Sequence, residues 1–513
     1  MNRTLNKVTD HPDIKLSPSE LARIQRNKVA YSNVHDDIHY LDSNGEPATR
    51  PFNAVNVLKT VSRKLSKLVF NEGVTISLTN KEAQDFIADV FAANRFEQVF
   101  GEELEGGYAI SGLAIVPVYD EPSQTIKFVY CSADNFVPLD GNTSVVSEAA
   151  IINHYRNVEG SNSDGQGRLV YYTLFAIHKR YGTIGELKED GSPAYGYEII
   201  HELYRSIEPD VVGEQVSLKT IEETADLSAR VELSGLTKPL FVYIKLAGKN
   251  NVNYGSPLGL GVCDNAYRQF CNFNDVYDKY MDEIDTATRQ LVASEQFFDV
   301  KFNSRGEKVS YFDPGTRVWR KLNTDDAMIE DFSPAIRAEQ YISSLNFILQ
   351  IIELNCGFSP GTFSFDGKSV KTATEVISEN TDTYQTRSDN VLIVKQAITD
   401  LILNVFYLGS YYELYNGPDD IKISVDFDDG VFTSKTERQA FAANGKSMGL
   451  MSARTAMMRA YGFTEKEANQ EYAKILEEQQ SAAPEEFQKY AEDQIYGVNE
   501  FDLEEEEIED VEE

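Results

Sequence analysis

Cysteine is scarce in this chain: four in 513 residues (Cys131, Cys263, Cys271, Cys356), with no CxxC spacing. That excludes a disulfide scaffold and a cysteine-built zinc site. The thiols read as small apolar fillers in a reducing setting. Basic charge is also short, since 48 Lys and Arg against 82 Asp and Glu leave a formal net charge of −34. A freely diffusing nucleic-acid binder presents a basic surface, so this chain either avoids nucleic acid or lets it pass without holding it. Met1 is followed by polar residues, which predicts no signal peptide. The most apolar run, Phe347 to Leu354, is short and is interrupted by Gln350 and Glu353, which predicts no transmembrane helix and no membrane partner. There is no P-loop, no GxSxG and no HExxH.

What fragments of chemistry remain are weak. Gly259-Leu-Gly261 follows a turn rather than a strand, so it is a poor phosphate loop. Asp426-Phe-Asp428-Asp429-Gly430, with Glu437 beyond, has its glycine at the fifth place, where a calcium loop needs it at the sixth, and a strand precedes it. His35 and His39 are the one close histidine pair, and no cysteine lies near them. No metal and no cofactor are expected. An enzyme would need paired acids on strand ends, and only Asp120, Glu121 and Asp134 offer them.

Apolar and aromatic residues are plentiful, at 42% and 11%, so a chain of this length builds several sizeable cores. Ser17-Pro18 starts a helix through Val29. Residues 54 to 70 form a basic amphipathic helix with a complete apolar face, read as docked on a core. A helix over 81 to 100 follows, and Gly106-Gly107 is expected to break the chain. Alternating strands at 114–119, 126–130, 150–152, 169–177 and 197–204 mark an α+β region. A turn-rich linker covers 248 to 261.

One long helix is predicted over 258 to 294. Tyr267, Phe270, Tyr277, Met281, Ile284 and Leu291 recur at steps of three and four, with Asn274 and Thr288 filling the series. Asp275, Asp278, Asp282 and Asp285 recur at the same steps, and the two stripes are expected on nearly opposite faces. A hairpin at 297–312 and Thr316 to Leu322 follow. This tip concentrates Lys301, Arg305, Lys308, Arg317, Arg320 and Lys321 around the single tryptophan, Trp319. Ser333-Pro334 caps a returning helix to about Asn355, apolar nearly all round in its second half, which must be covered on several sides. After the loop 356–369, a capping box at Thr372 to Glu375 opens a helix to about Tyr407. A strand at 421–427 precedes helices at 434–448, 452–461 and 464–480. The tail from Glu485 is an acidic block expected to be disordered.

Taken in order, these segments resemble the portal proteins of tailed bacteriophages, of the kind found in siphophages of Gram-positive hosts. The resemblance rests on Asn250 to Gly259 with Asp264, Asp278, Tyr280 and Glu283; on Gly357 to Asp366; on Lys371 to Val376 with Thr383-Tyr-Gln-Thr386; and on Ile423 to Asp428 with Gly449 to Ser452 and Tyr461 to Glu465. It implies an α+β portal fold assembled as a ring of about twelve copies. Its parts would be an N-terminal region and wing (1–257), stem helices (258–295 and 324–355), a clip (296–323), a tunnel loop (356–369), a long wing helix (370–412), a crown (413–480) and an acidic tail (481–513).

The resemblance also implies roles. Phe358, Phe363, Phe365 and Lys368 would be the loop's contacts to double-stranded DNA in transit. Asp275, Asp278, Asp282 and Asp285 would line the channel, and Arg305, Lys308, Arg317, Trp319, Arg320 and Lys321 would dock partners. Those partners would be the large terminase ATPase and then a head–tail adaptor, with major capsid and scaffolding proteins around the ring. The setting would be the virion, with assembly in the host cytoplasm. The competing readings are another capsid or tail subunit, or an enzyme built on 108–245.

Overall fold

A computed structural model describes residues 3–41, 47–70, 74–140, 145–160, 167–188, 190–287, 291–294, 299–302, 308–311, 319–322, 329–331, 335–364, 380–418, 421–427, 435–463 and 465–481. For the strands between 291 and 331 only the backbone is described. The chain divides into two compact units, residues 1–428 and 429–513.

The first unit opens with α1 (Pro18–Ser32), whose Ser17 cap accepts a hydrogen bond from the Ser19 amide with Pro18 in the first turn. Helix α2 (Val57–Val69) buries Val57, Val61, Leu65 and Leu68, while Lys59, Arg63, Lys64 and Lys67 stay exposed. It is thus a docked core helix, and its basic face is solvated. Helices α3 (Lys81–Ala93) and α4 (Phe96–Ile110) are separated at Arg95, which takes a left-handed conformation.

The expected break at Gly106-Gly107 does not occur, because α4 runs through both to Ile110. A Cβ on Gly107 would sit 2.8 Å from that of Leu113. The glycine therefore serves close packing of the helix on the next strand rather than a turn. The chain turns instead at Ser111 and Gly112, both at positive φ.

The strands form a seven-stranded sheet with Thr4–Leu5, Gly213–Val216, Gly196–Ser206, Arg168–Tyr181, Ala149–Glu159 and Phe136–Pro138 in spatial order, and Arg230–Ser234 beside Gly196–Ser206. A smaller sheet joins Val242–Ile244, Leu113–Asp120 and Thr125–Ser132. Both are antiparallel throughout.

Helix α5 spans Val262–Thr286, twenty-five residues. It is shorter than expected at both ends: Gly261 is its N-cap, and Leu291 lies in a strand (Leu291–Ser294). That strand is the centre of a three-stranded sheet, parallel to Trp319–Leu322 and antiparallel to Ile329–Asp331. Asp299–Phe302 and Lys308–Tyr311 make the expected hairpin. Helix α6 (Ala338–Asn355) returns antiparallel to α5, and it begins four residues after the predicted Pro334 start.

Helix α7 (Thr381–Tyr411) is the core helix of this unit, burying Val394, Ile398, Leu401, Ile402, Val405 and Leu408. The predicted capping box at 372–375 lies outside the described residues. By length and composition α7 is apolar enough to cross a membrane, though half of its most apolar stretch is already buried inside the protein. Ile423–Asp426 closes the unit by pairing antiparallel with Thr75–Leu78.

The second unit holds α8 (Lys435–Ser447), α9 (Ala453–Tyr461) and α10 (Glu465–Ser481). Ser452 caps α9, and Gly462 ends it in the left-handed conformation. Ala442, Ala456 and Ala460 pack as its small core.

Candidate functional site

The hairpin of α5 and α6, with the loop that follows, carries the residues singled out in the sequence. Its root is a buried polar hub. Arg23 of α1, itself 5% exposed, donates to Glu20 (3.1 Å), to the Gly259 carbonyl (3.1 Å), to the Ser111 hydroxyl (2.9 Å) and to Asp264 in the first turn of α5. Asp264 also accepts from Arg26 (2.9 Å) and from the Gly261 amide (2.8 Å). Asn250 and Ser256 donate to Glu20 at 3.1 and 2.8 Å. Two guanidinium groups thus face two carboxylates, Arg23 from within and Arg26 from the exposed side. These bonds raise the Arg23 pKa against the lowering effect of its burial.

The hub also explains Gly259 and Gly261. A Cβ on Gly261 would lie 2.4 Å from the Ala109 carbonyl, and one on Gly259 would lie 2.6 Å from the Lys245 Cβ. Their amides are taken by Asp264 and by the Tyr243 hydroxyl (3.1 Å). Neither glycine amide is free to cradle a phosphate.

The four aspartates of α5 do not form one exposed stripe. Asp278 is 4% exposed and accepts both guanidinium nitrogens of Arg50 at 2.7 Å, plus the Asn53 amide at 2.9 Å. The Arg50 bond is the largest of the effects holding its pKa below the usual carboxylate value. Arg50 Nε also reaches Asp282 at 3.2 Å. Only Asp275 and Asp285 of the four are exposed.

The reason lies in helical phase. Asp278 directly follows Tyr277, as Asp282 follows Met281 and Asp285 follows Ile284, and one step is ~100°, not the half turn that opposite faces require. The acids flank the packed face instead of opposing it. The outward strip is of mixed sign, with Arg268 and Lys279 exposed beside Asp275.

Helix α6 is tied to α5 near the tip. Glu283 accepts from the Arg337 amide (2.9 Å), from its guanidinium and from the Tyr341 hydroxyl (2.9 Å), while Tyr280 and Tyr341 stack with centroids 5.1 Å apart. The Arg337 bonds hold the Glu283 pKa down at about 2.

At the other end of α6, Glu353 is fully buried and organises the loop that follows. Its carboxylate accepts the amides of Gly361 (2.9 Å), Phe363 and Ser364 (2.8 Å), and its carbonyl accepts the Phe358 amide. From the other side, Thr383 and Ser359 exchange amide-to-hydroxyl hydrogen bonds, and the Thr386 hydroxyl donates to the Gly357 carbonyl at 2.6 Å. The threonines of one sequence motif thus pin the residues of another.

This geometry corrects the expected contact at Phe358. Phe358 is 2% exposed and packs edge-on against Phe363 at 5.1 Å, so it is a core side chain of the protomer, not a surface contact. It turns inward because Gly357, at positive φ and pressed on Thr386, reverses the chain at the end of α6. Phe365 and Lys368 lie outside the described residues, as do Arg305 and Arg317 of the tip. Lys308, Trp319, Arg320 and Lys321 fall on its strands.

The acids an enzyme would need do not converge. Asp120 pairs with Lys127 and Ser123, and Asp134 with Lys28 and Ser132. Asp120 stands opposite Thr125 at one end of the strand pair, and Ser132 stands opposite Leu113 at the other. At ~3.4 Å per residue the two acids are ~20 Å apart. Among the described residues no group of three or more His, Cys, Asp or Glu is placed to hold a metal ion.

These residues brace helices and a loop. The chain belongs to the phage portal protein family, SPP1 Gp6-like, whose family model matches residues 10–485. It is a structural subunit of the portal, the connector at a capsid vertex of a phage-like particle.

Among solved structures it is similar to a chain in the neck of an empty GTA particle computed with C6 symmetry (14% identity, 85% of this chain and 98% of that one, TM-score 0.41). It is also similar to one in the neck of a native GTA particle computed with C12 symmetry (12% identity, 87% and 94%, TM-score 0.43). No curated protein matches.

Proposed function

We propose that this portal subunit forms a ring of twelve through which double-stranded DNA enters the capsid and later leaves. Helices α5 and α6 form the stem, the strands within 296–323 the clip, residues 356–369 the tunnel loop, α7 the long wing helix, and 413–480 the crown. The clip meets the large terminase ATPase during packaging and the head–tail adaptor afterwards. Major capsid and scaffolding proteins surround the ring, which assembles in the host cytoplasm. The reaction that drives DNA belongs to the terminase, and the portal supplies symmetry and a shaped passage.

The observation that carries this reading is the bracing of one hairpin at three points. The Arg23 hub fixes its root, the Glu283–Arg337 contact its tip end, and Glu353 with Thr383 the loop that leaves it. A rigid strut bearing a tip and a root loop suits a part that transmits force. The net charge of −34 suits a conduit, because phosphates do not release counterions onto an acidic wall and DNA is not held. Of the four aspartates Asp275 and Asp285 are exposed, and Asp275 shares its strip with Arg268 and Lys279.

Replacing Arg305, Lys308, Arg317, Arg320 and Lys321 by serine tests the clip. Rings of unchanged size are expected, with terminase docking and DNA-filled heads lost. Normal packaging by that variant would contradict the clip's role.

A further inference from the structure

Helix α6 carries two charged residues, Glu339 at its start and the buried Glu353. Between them its outward face has no charge, yet it exposes apolar side chains. Phe347 is 62% and Leu354 77% exposed, with Ile351 half-buried between them. At ~100° per residue these three share one stripe, turned away from the Tyr341 and Ile352 side that meets α5. Phe347 and Leu354 stand largely uncovered in the protomer. Charge depletion around aromatic and aliphatic side chains is the composition of an interface core.

A hollow lies on the other side of the same hairpin, apolar at its centre and rimmed by Arg26, Asn33, His35 and Asp275. Tyr267, Phe270 and Cys271 of α5, with Val29, Val34 and Phe52 around α1 and α2, line a groove of ≈ 520 Å³. Val29 and Val34 are 56% and 76% exposed. Tyr267 and Asn274 are ~130° round α5 from Tyr280, so the groove faces away from α6.

The two surfaces also stand at one height. Tyr280 lies beside Tyr341 and Glu283 beside Arg337, while Asn265 and Asn355 line the same small cavity near the root. This antiparallel register sets Phe347, Ile351 and Leu354 level with the Ala266–Phe273 stretch of α5, where the groove opens. A cyclic assembly uses two different surfaces per subunit, and rotation leaves height along the axis unchanged. A ridge and a hollow on opposite sides of one strut, at equal height, meet that requirement.

We propose that the Phe347–Ile351–Leu354 ridge of one subunit seats in the Tyr267–Cys271 groove of the next copy. This rests on the ring reading and specifies which surfaces close it. The native thiol of Cys271, exposed in the protomer, sits in the hollow as a reporter.

The test introduces Phe347→Cys and, separately, Ile351→Cys into the full chain, and oxidises the assembled particle mildly. Both sites face outward or partly so, and the two variants guard against one failing to fold. Expected is a ladder of covalent multimers rising to the complete ring, abolished when Cys271→Ser is added. Rings of correct native mass that give no ladder from either variant, or a ladder that survives Cys271→Ser, would overturn the pairing. So would free reaction of both new thiols with a bulky maleimide in the intact ring, which would place the ridge in the bore. A native mass showing no ring in the unmodified protein would instead overturn the ring reading, and the pairing with it.

Discussion

At the scale of single residues, the acids of α5 divide into a brace and a charged surface. Asp278 is held by Arg50 and Asn53 and is nearly buried, whereas Asp275 and Asp285 are exposed. Asp278→Asn removes a bidentate pair and leaves Arg50 without its main partner, so a loss of ~1–3 kcal/mol is expected. Asp275→Asn and Asp285→Asn should leave the Tm unchanged. Thermal unfolding of the three variants checks this, and equal effects at all three would refute the division. The aspartate repeat was legible in the sequence, but its partner was not, because Arg50 lies 228 residues away. Arg23 and Asp264 are likewise 241 residues apart. Local periodicity carries no information about such pairs. In the sequence Glu353 only interrupts an apolar run; the loop folded back on it reveals three amides needing an acceptor.

Among the elements, those governed by local rules were readable. Helix α1 with its Ser17 cap, α2 with its complete apolar face, and α9 with its Ser452 cap follow capping and 3.6-residue periodicity. Elements set by tertiary contact were not. Helix α4 continues through Gly106-Gly107, where Gly107 packs closely on Leu113, and α5 stops at Thr286, after which Leu291–Ser294 joins a sheet with Trp319–Leu322. The α5–α6 junction has a pH signature. The Glu283 pKa is depressed from an ordinary 4.5 to about 2 by Arg337. Its contribution is therefore complete above pH 4.5 and is lost as pH falls from 4.5 toward 2. The Tm gap between the native chain and Glu283→Gln should be flat above pH 4.5 and close as pH approaches 2. A gap that widens on acidification would show that the pair does not brace the hairpin.

For the whole molecule, the order of segments conveyed more than any one motif. Four stretches between Asn250 and Glu465 pointed to the portal family, and the family match over residues 10–485 agrees. The negative balance of the chain also belongs to this scale, since on the proposed function it bears on how an assembled wall would meet DNA rather than on how any helix folds. What no single chain displays is the closed ring, and in the pairing proposed above the exposed face of α6 is where it closes. The decisive measurement is the native mass of the portal released from assembled particles, taken with end-on class averages. A species near twelve times 57.7 kDa with a central hole is expected. A compact monomer or dimer, or a closed body without a hole, would contradict the conduit.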